Sequence, residues 1–263
     1  MTARLTVAIV ALIASGPVQA YELLRINRNP CAHGDPNLFW TADSVSVSVD
    51  PLPEEFHDLV IEAWEQWNAN VPEFHFVAGS GPACMIDGVA AVAIADQPCG
   101  LDQFGDALAI TRSRWNGNGT LVDADVTFRS ATFVLNDDDV FRQVAMHELG
   151  HVLGLGHSDA CDHNAGVGTL MRAMLVAPIL LEPQPDDIAG AKAIYAGNSG
   201  NNGAVPEGTN SCAITPPQRR QVAPPLIVMA LLLLLKLLPQ RGSAADRWGS
   251  ATAPRRRRSR SGN

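Results

Sequence analysis

Residues 147–157 read HELGHVLGLGH, and this run constrains the chain more than any other stretch. Histidines at i and i+4 on a helix lie about 40° apart around the axis and about 6 Å along it, so both imidazoles reach one ion. Glu148 is turned away from the direct ligand position but stays close enough to act on a metal-bound water. Gly154 offers a left-handed stop, after which the chain can swing His157 back to the same ion. Three neutral imidazoles and a water make a four-coordinate zinc site with an open position, which lowers the water's pKa to about 7. With 7 His, 9 Glu and 22 Gly in 263 residues, a chance match to His-Glu-x-x-His-x-x-Gly-x-x-His is on the order of 10⁻⁵. A closed structural zinc site would fill the fourth position, usually with Cys, and the run holds none.

Strands and helices surround the run without repeating. Val45, Val47 and Val49 alternate with polar residues, which predicts a half-buried strand. Pro53 opens a helix whose apolar face carries Phe56, Leu59, Val60, Ala63, Trp64 and Trp67 at spacings of three and four. Further strands are expected at 73–78, 89–95, 107–111 and 121–128, with Asn116–Gly119 turning between the last two. Asn136 and Asp137–Asp139 suit the start of a helix near 138 that carries the His-Glu run. Pro185, Asp186 and Asp187 open a last helix bearing Ile188, Ala191, Ile194 and Tyr195. Residues 198–221 are rich in Gly, Asn, Pro, Ser and Thr, a composition that predicts a flexible linker.

This pattern resembles the metzincin zinc endopeptidases, and Ser158 after the third histidine resembles their matrixin branch. Three further segments resemble matrixin elements. Asn136–His147 is similar to the helix entering the site, and Thr169-Leu170-Met171 to the Met-turn beneath the metal. Asp186–Gly190 through Tyr195 is similar to the closing helix. The likeness covers roughly residues 38–197. It implies an α+β metzincin-like domain over 21–197, with a twisted mixed β-sheet, a long backing helix, an active-site helix and a small C-terminal subdomain. It also implies hydrolysis of protein or peptide substrates, with catalytic Zn²⁺ on His147, His151 and His157 and with Glu148 as general base. Met171 would be the Met-turn residue, with Met174 as the alternative. Ala107–Thr111 would be the edge strand to which an extended peptide adds.

The chain also departs from that family. The loop Asp159–Gly168 is longer, and Arg172-Ala173-Met174 stands where aromatic-Pro-x-Tyr usually shapes the P1′ pocket. No cluster for a second zinc precedes residue 136, so His33, His57, His75 and His163 read as surface or structural. Asp123 and Asp125 are candidates for a structural Ca²⁺ site, the alternative being an exposed strand face. Two other classes stay open: a non-catalytic surface-binding protein that keeps the fold, and a non-proteolytic zinc hydrolase. The intact Glu148 favours the peptidase, since a pure binder needs no base.

Charge and the chain ends bear on location. Residues 21–200 carry 8 Lys and Arg against 25 Asp and Glu, which argues against nucleic acid as a partner. Residues 1–20 read as a signal peptide: Arg4, the apolar Leu5–Ala14, then Val18-Gln19-Ala20 as cleavage site. Export implies an oxidising compartment, where four of the five cysteines can form two bridges in three connectivities. Cys84 with Cys99 is the most local pair and Cys31 with Cys161 the second, leaving Cys212. Residues 29–36 faintly resemble the matrixin cysteine switch, but so short a segment after the cleavage site favours a bridged Cys31.

Residues 222–263 hold the apolar run Leu226–Leu238, broken by Lys236, and then Arg255–Arg258 and Arg260. Helical, that run spans about 20 Å against a hydrocarbon core of about 30 Å. The order resembles the tripartite sorting signals of some bacterial surface proteins, with membrane retention through the tail and a cut near Cys212. The expectation is an exported protein, secreted or associated with the cell envelope. Nothing in the sequence sets its oligomeric state.

Overall fold

The computed structural model describes residues 21–29, 31, 35–162, 168–175, 177–196 and 208–215. The expected signal segment, His33, His163 and the tail 222–263 lie outside the described residues. The elements are β1 (Ser44–Ser48), α1 (His57–Asn70), β2 (His75–Ala78), β3 (Val89–Ala95), β4 (Ala109–Trp115), β5 (Leu121–Arg129), α2 (Asp138–Leu153), α3 (Pro185–Tyr195) and β6 (Gly208–Ile214). They build one mixed sheet in the order β2-β1-β3-β5-β4-β6. β1 runs parallel to β2 and β3, and β3 parallel to β5; β4 is antiparallel to both β5 and β6. The fold is therefore α+β, as expected.

Two differences from expectation bear on the site. β4 continues past Thr111 to Trp115. Inside the stretch 198–221, expected to be linker, Gly208–Ile214 forms a sixth strand, and the backbone of Cys212 pairs with Thr111. The reason is the free edge of β4, whose unpaired N–H and C=O groups accept any extended segment that reaches them. Such pairing uses main-chain groups, so a polar sequence shows no hydrophobic signal for it.

The pleat decides what each face of the sheet meets. On β5, Ala124, Val126 and Phe128 enter the core, while Asp123, Asp125 and Thr127 point to the opposite face. On the core side Phe128 stacks on Phe141 of α2 (centroids 4.4 Å apart), and Phe141 meets Phe56 at 4.7 Å. α1 packs on α2, and its Trp67 Nε1 donates to Met146 O at 2.9 Å. The tryptophan pair of α1 is thus core. On the other face the stretches flanking β3, joined by the Cys84–Cys99 disulfide, lie against the side chains of β5. Asp125 accepts from the N–H groups of Cys84 (3.0 Å) and Ala91 (3.1 Å), and Asp123 from Asp87 N at 3.4 Å.

Asp123 and Asp125 are therefore buried, which corrects the exposed-face reading. Burial raises both carboxyls, to about 6 for Asp123 and about 7 for Asp125, with the charge of Asp123 adding to the rise at Asp125. The folded protein then holds the Asp125 proton more tightly than the unfolded chain does. Its contribution is greatest in acid and is lost as pH rises through about 7. The stability cost of Asp125→Asn should accordingly shrink between pH 5 and pH 8, as read by urea unfolding at each pH. A cost that grows with pH would contradict this account.

Candidate metal centre

Asp137 starts α2 by accepting from Asp139 N and Val140 N, both at 3.1 Å, and Asp138 and Asp139 add negative charge in the first turn. The helix ends inside the molecule. Its last carbonyls are all partnered: Gly150 O by Leu155 N, His151 O by Gly154 N, Val152 O by Trp40 Nε1 at 2.8 Å, and Leu153 O by the Tyr195 hydroxyl at 2.7 Å. Gly154 stops the helix with φ at +104°, and a Cβ there would sit 2.6 Å from Leu38 O. No other residue fits that turn, which redirects the chain so that His157 comes back over α2.

The three histidines meet as expected. His147 and His151 are fully buried and His157 is half-buried. One ligand atom from each lies within 4.8 Å of the others. His147 Nδ1 contacts Leu170 O at 2.8 Å, and His151 Nδ1 contacts Leu155 O at 2.7 Å. A carbonyl only accepts, so both rings carry their proton on Nδ1 and present a bare Nε2. His147 Nε2 is buried without a hydrogen-bond partner. The Nε2 atoms of His151 and His157 lie 3.2 Å apart. A buried acceptor nitrogen without a partner, beside two more imidazoles whose ligand atoms converge on it, is a donor set that fits Zn²⁺. Burial also lowers the basicity of all three rings, to about 3 for His147 and about 4 for His157, and well below the ordinary value for His151. They are neutral near pH 7, as metal ligation requires.

Glu148 is fully buried beside this cluster. Thr111 Oγ1 on β4 donates to its Oε2 at 2.5 Å, while Oε1 has no hydrogen-bond partner. Burial pushes its carboxyl up to about 8, opposed by the Thr111 hydroxyl and by the backbone N–H groups of Ile214 and Thr111.

Below the histidines, Met171 packs on Gly150 so closely that a Cβ there would lie 2.3 Å from its sulfur. Met171 is 2% exposed and Met174 37%, so Met171 is the methionine beneath the site. Asp187 fixes this turn. Its carboxylate accepts from Leu170 N (2.9 Å), Met171 N (3.1 Å) and Gln184 N (2.8 Å), tying α3 to the residue whose carbonyl orients His147. Ser158 N donates to Met171 O and closes the loop from the other side. Sequence reasoning missed Thr111, which lies 37 residues from its partner in the chain. It placed Asp187 at the start of the last helix but not on the methionine turn, whose N–H groups lie 16 and 17 residues away in the chain.

The disulfide Cys31–Cys161 ties the N-terminal segment to the loop after His157, as expected. Arg172, Met174, Leu175, Ala177, Pro178 and Leu180 line a cleft of about 310 Å³ where the aromatic-Pro-x-Tyr segment is missing. His57 contacts Leu52 O and His75 is exposed on β2, so neither approaches the cluster. Asp123 and Asp125 join no group of three close metal-ligating side chains; among the described residues only the histidine triad does so.

An active-site helix that places two imidazoles and a carboxylate, a third imidazole after a glycine turn, and a methionine beneath them define a zinc centre of the metzincin class. The model of the Matrixin family, peptidase family M10, matches residues 39–196, and the chain belongs to that family. No curated protein gives a match to the chain.

Removing the Asp187 carboxylate leaves two buried N–H groups of the methionine turn unpaired, at about 1–3 kcal/mol each. Asp187→Ala should therefore lower unfolding stability and weaken zinc binding about 10–100-fold through the His147 contact. Competition with a chromogenic chelator reads the affinity. Wild-type affinity in the variant would show that Asp187 does not orient the ligand.

Proposed function

We propose that this protein is an exported zinc endopeptidase that cuts extended segments of protein or peptide substrates. Its matrixin membership makes it a zinc metallopeptidase by family. The observation that carries the finer reading is Glu148, buried against the histidine cluster with one oxygen held by Thr111 and the other without a partner. Zn²⁺, when bound by His147, His151 and His157, supplies a Lewis acid and a water of lowered pKa. Glu148 Oε1 accepts a proton from the attacking water and returns it to the departing amine nitrogen. Thr111 holds Oε2, so the carboxylate does not swing between the two tasks. The main chain of β4 aligns the substrate as an added strand, which selects backbone shape over sequence.

Export is supported by the two disulfides, which suit an oxidising compartment. Retention through residues 222–263 is part of the proposal and rests on the sequence of that tail. Among the described residues no helix is long and apolar enough to cross a membrane.

Glu148→Gln should keep zinc and lose about 10²–10⁴-fold in hydrolysis of an unfolded protein, since the ligands survive and the proton acceptor does not. Metal analysis and turnover on the same sample provide the check. Wild-type turnover in the variant would remove Glu148 as the base. A zinc-loaded wild-type protein that cuts no unfolded protein would favour the non-catalytic binder.

A further inference from the structure

The edge of β4 beside the metal centre is taken by β6, a later segment of the same chain. The pairing runs antiparallel from Ala109↔Ile214 to Trp115↔Gly208. It continues beyond the strand, where Leu108 N donates to Ile214 O at 2.7 Å. On its other side Thr215 pairs with the cleft wall: Thr215 N donates to Ala173 O and Leu175 N to Thr215 O, each at 2.9 Å. The segment is thus held between two extended pieces of main chain, one antiparallel (β4) and one parallel at Met174. Ile214 is 1% exposed and belongs to the hydrophobic core. Its backbone N–H faces the Glu148 carboxylate.

That last contact sets the chemistry. A group that returns a proton to a departing amine has to lie at the nitrogen on the C-terminal side of the bond being cut. Ile214 is the residue whose carbonyl Leu108 holds and Thr215 the one held by the cleft wall, with Glu148 beside the Ile214 nitrogen, so the bond in register is Ala213–Ile214. Building on the peptidase reading above, the geometry points to β6 as an intramolecular substrate: the enzyme hydrolyses its own Ala213–Ile214 bond and sheds residues 214–263. Water supplies both new ends. Its oxygen bonds to the Ala213 carbonyl carbon, the C–N bond breaks, and Ile214 nitrogen takes the proton through Glu148. The products are a carboxylate at Ala213 and an amine at Ile214, with no change in oxidation state.

Reach favours the same chain over a second copy. From Ala196, at the end of α3, to Gly208 an extended chain spans up to about 40 Å. A tether of that length gives an effective concentration in the millimolar range, so a segment of modest intrinsic affinity can still fill the cleft. The piece released contains the apolar run and the arginine cluster, so the cut would free the catalytic domain from whatever the tail holds.

The test uses the full chain loaded with zinc. Intact mass and N-terminal sequencing should show a fragment beginning at Ile214, formed at a rate that does not change on dilution. Ile214→Asp should lose that cut while binding as much zinc as wild type. In full-length Glu148→Gln, which stays whole, amide exchange should be slowed at Ile110–Trp115 and Gly208–Ile214 together. Ile214→Asp added to this background should release both. An unfolded protein added to the wild-type sample separates the two readings. If it is cut while Ala213–Ile214 stays whole, the self-substrate is overturned and the peptidase stands. If the added protein also stays whole in zinc-loaded Ile214→Asp, whose cleft is open, the peptidase reading itself fails. Slowed exchange with a lasting whole bond would make β6 an uncut inhibitor, which also overturns the proposal.

Discussion

Helix α2 ends inside the protein, and the carbonyls of its last turn must find partners there rather than in water. Trp40, Tyr195 and the turn at Gly154 supply them. The same partners lock the end of the helix between the N-terminal segment and α3. Much of the site follows from that closure. His151 lies in the last turn, His157 returns only because Gly154 adopts a left-handed conformation, and Gly150 is small enough to admit Met171 and Trp67 beneath it. The metal centre is the place where a buried helix terminus is satisfied and the remaining bare nitrogens point at one another.

Around this end a second residue orients the two helical imidazoles and the carboxylate between them. Leu170 O orients His147, and Asp187 holds Leu170; Leu155 O orients His151 from within the turn. Thr111 reaches across from the sheet to Glu148. The turn after the helix, the sheet and the C-terminal subdomain thus each contribute a restraint on the helix that carries His147, Glu148 and His151.

The histidine cluster could be read from residues 147–157 because its geometry is local: helical spacing and one glycine turn are properties of consecutive residues. The two disulfides were legible for a similar reason, since few cysteines leave few pairings. What the sequence hid depends on contacts between distant segments. Thr111 pairs with Glu148 only once β4 lies along α2. Asp123 and Asp125 looked exposed because one face of an alternating strand usually meets solvent; here the stretch before β3, pinned by a disulfide, lies on that face and hands its N–H groups to them. β6 read as linker because Gly208–Ile214 joins the sheet through its main chain, for which composition carries no signal.

The central claim is that three imidazoles, two from the helix and one from beyond the turn, hold one zinc ion with an open position. X-ray absorption at the zinc edge, with metal content measured on the same samples, tests it most directly. The account predicts one zinc per chain, imidazole nitrogens at about 2.0–2.1 Å, a light fourth ligand and no sulfur. It predicts that His157→Ala loses most of the metal. Full zinc occupancy in His157→Ala, or a sulfur ligand in the wild-type spectrum, would contradict it.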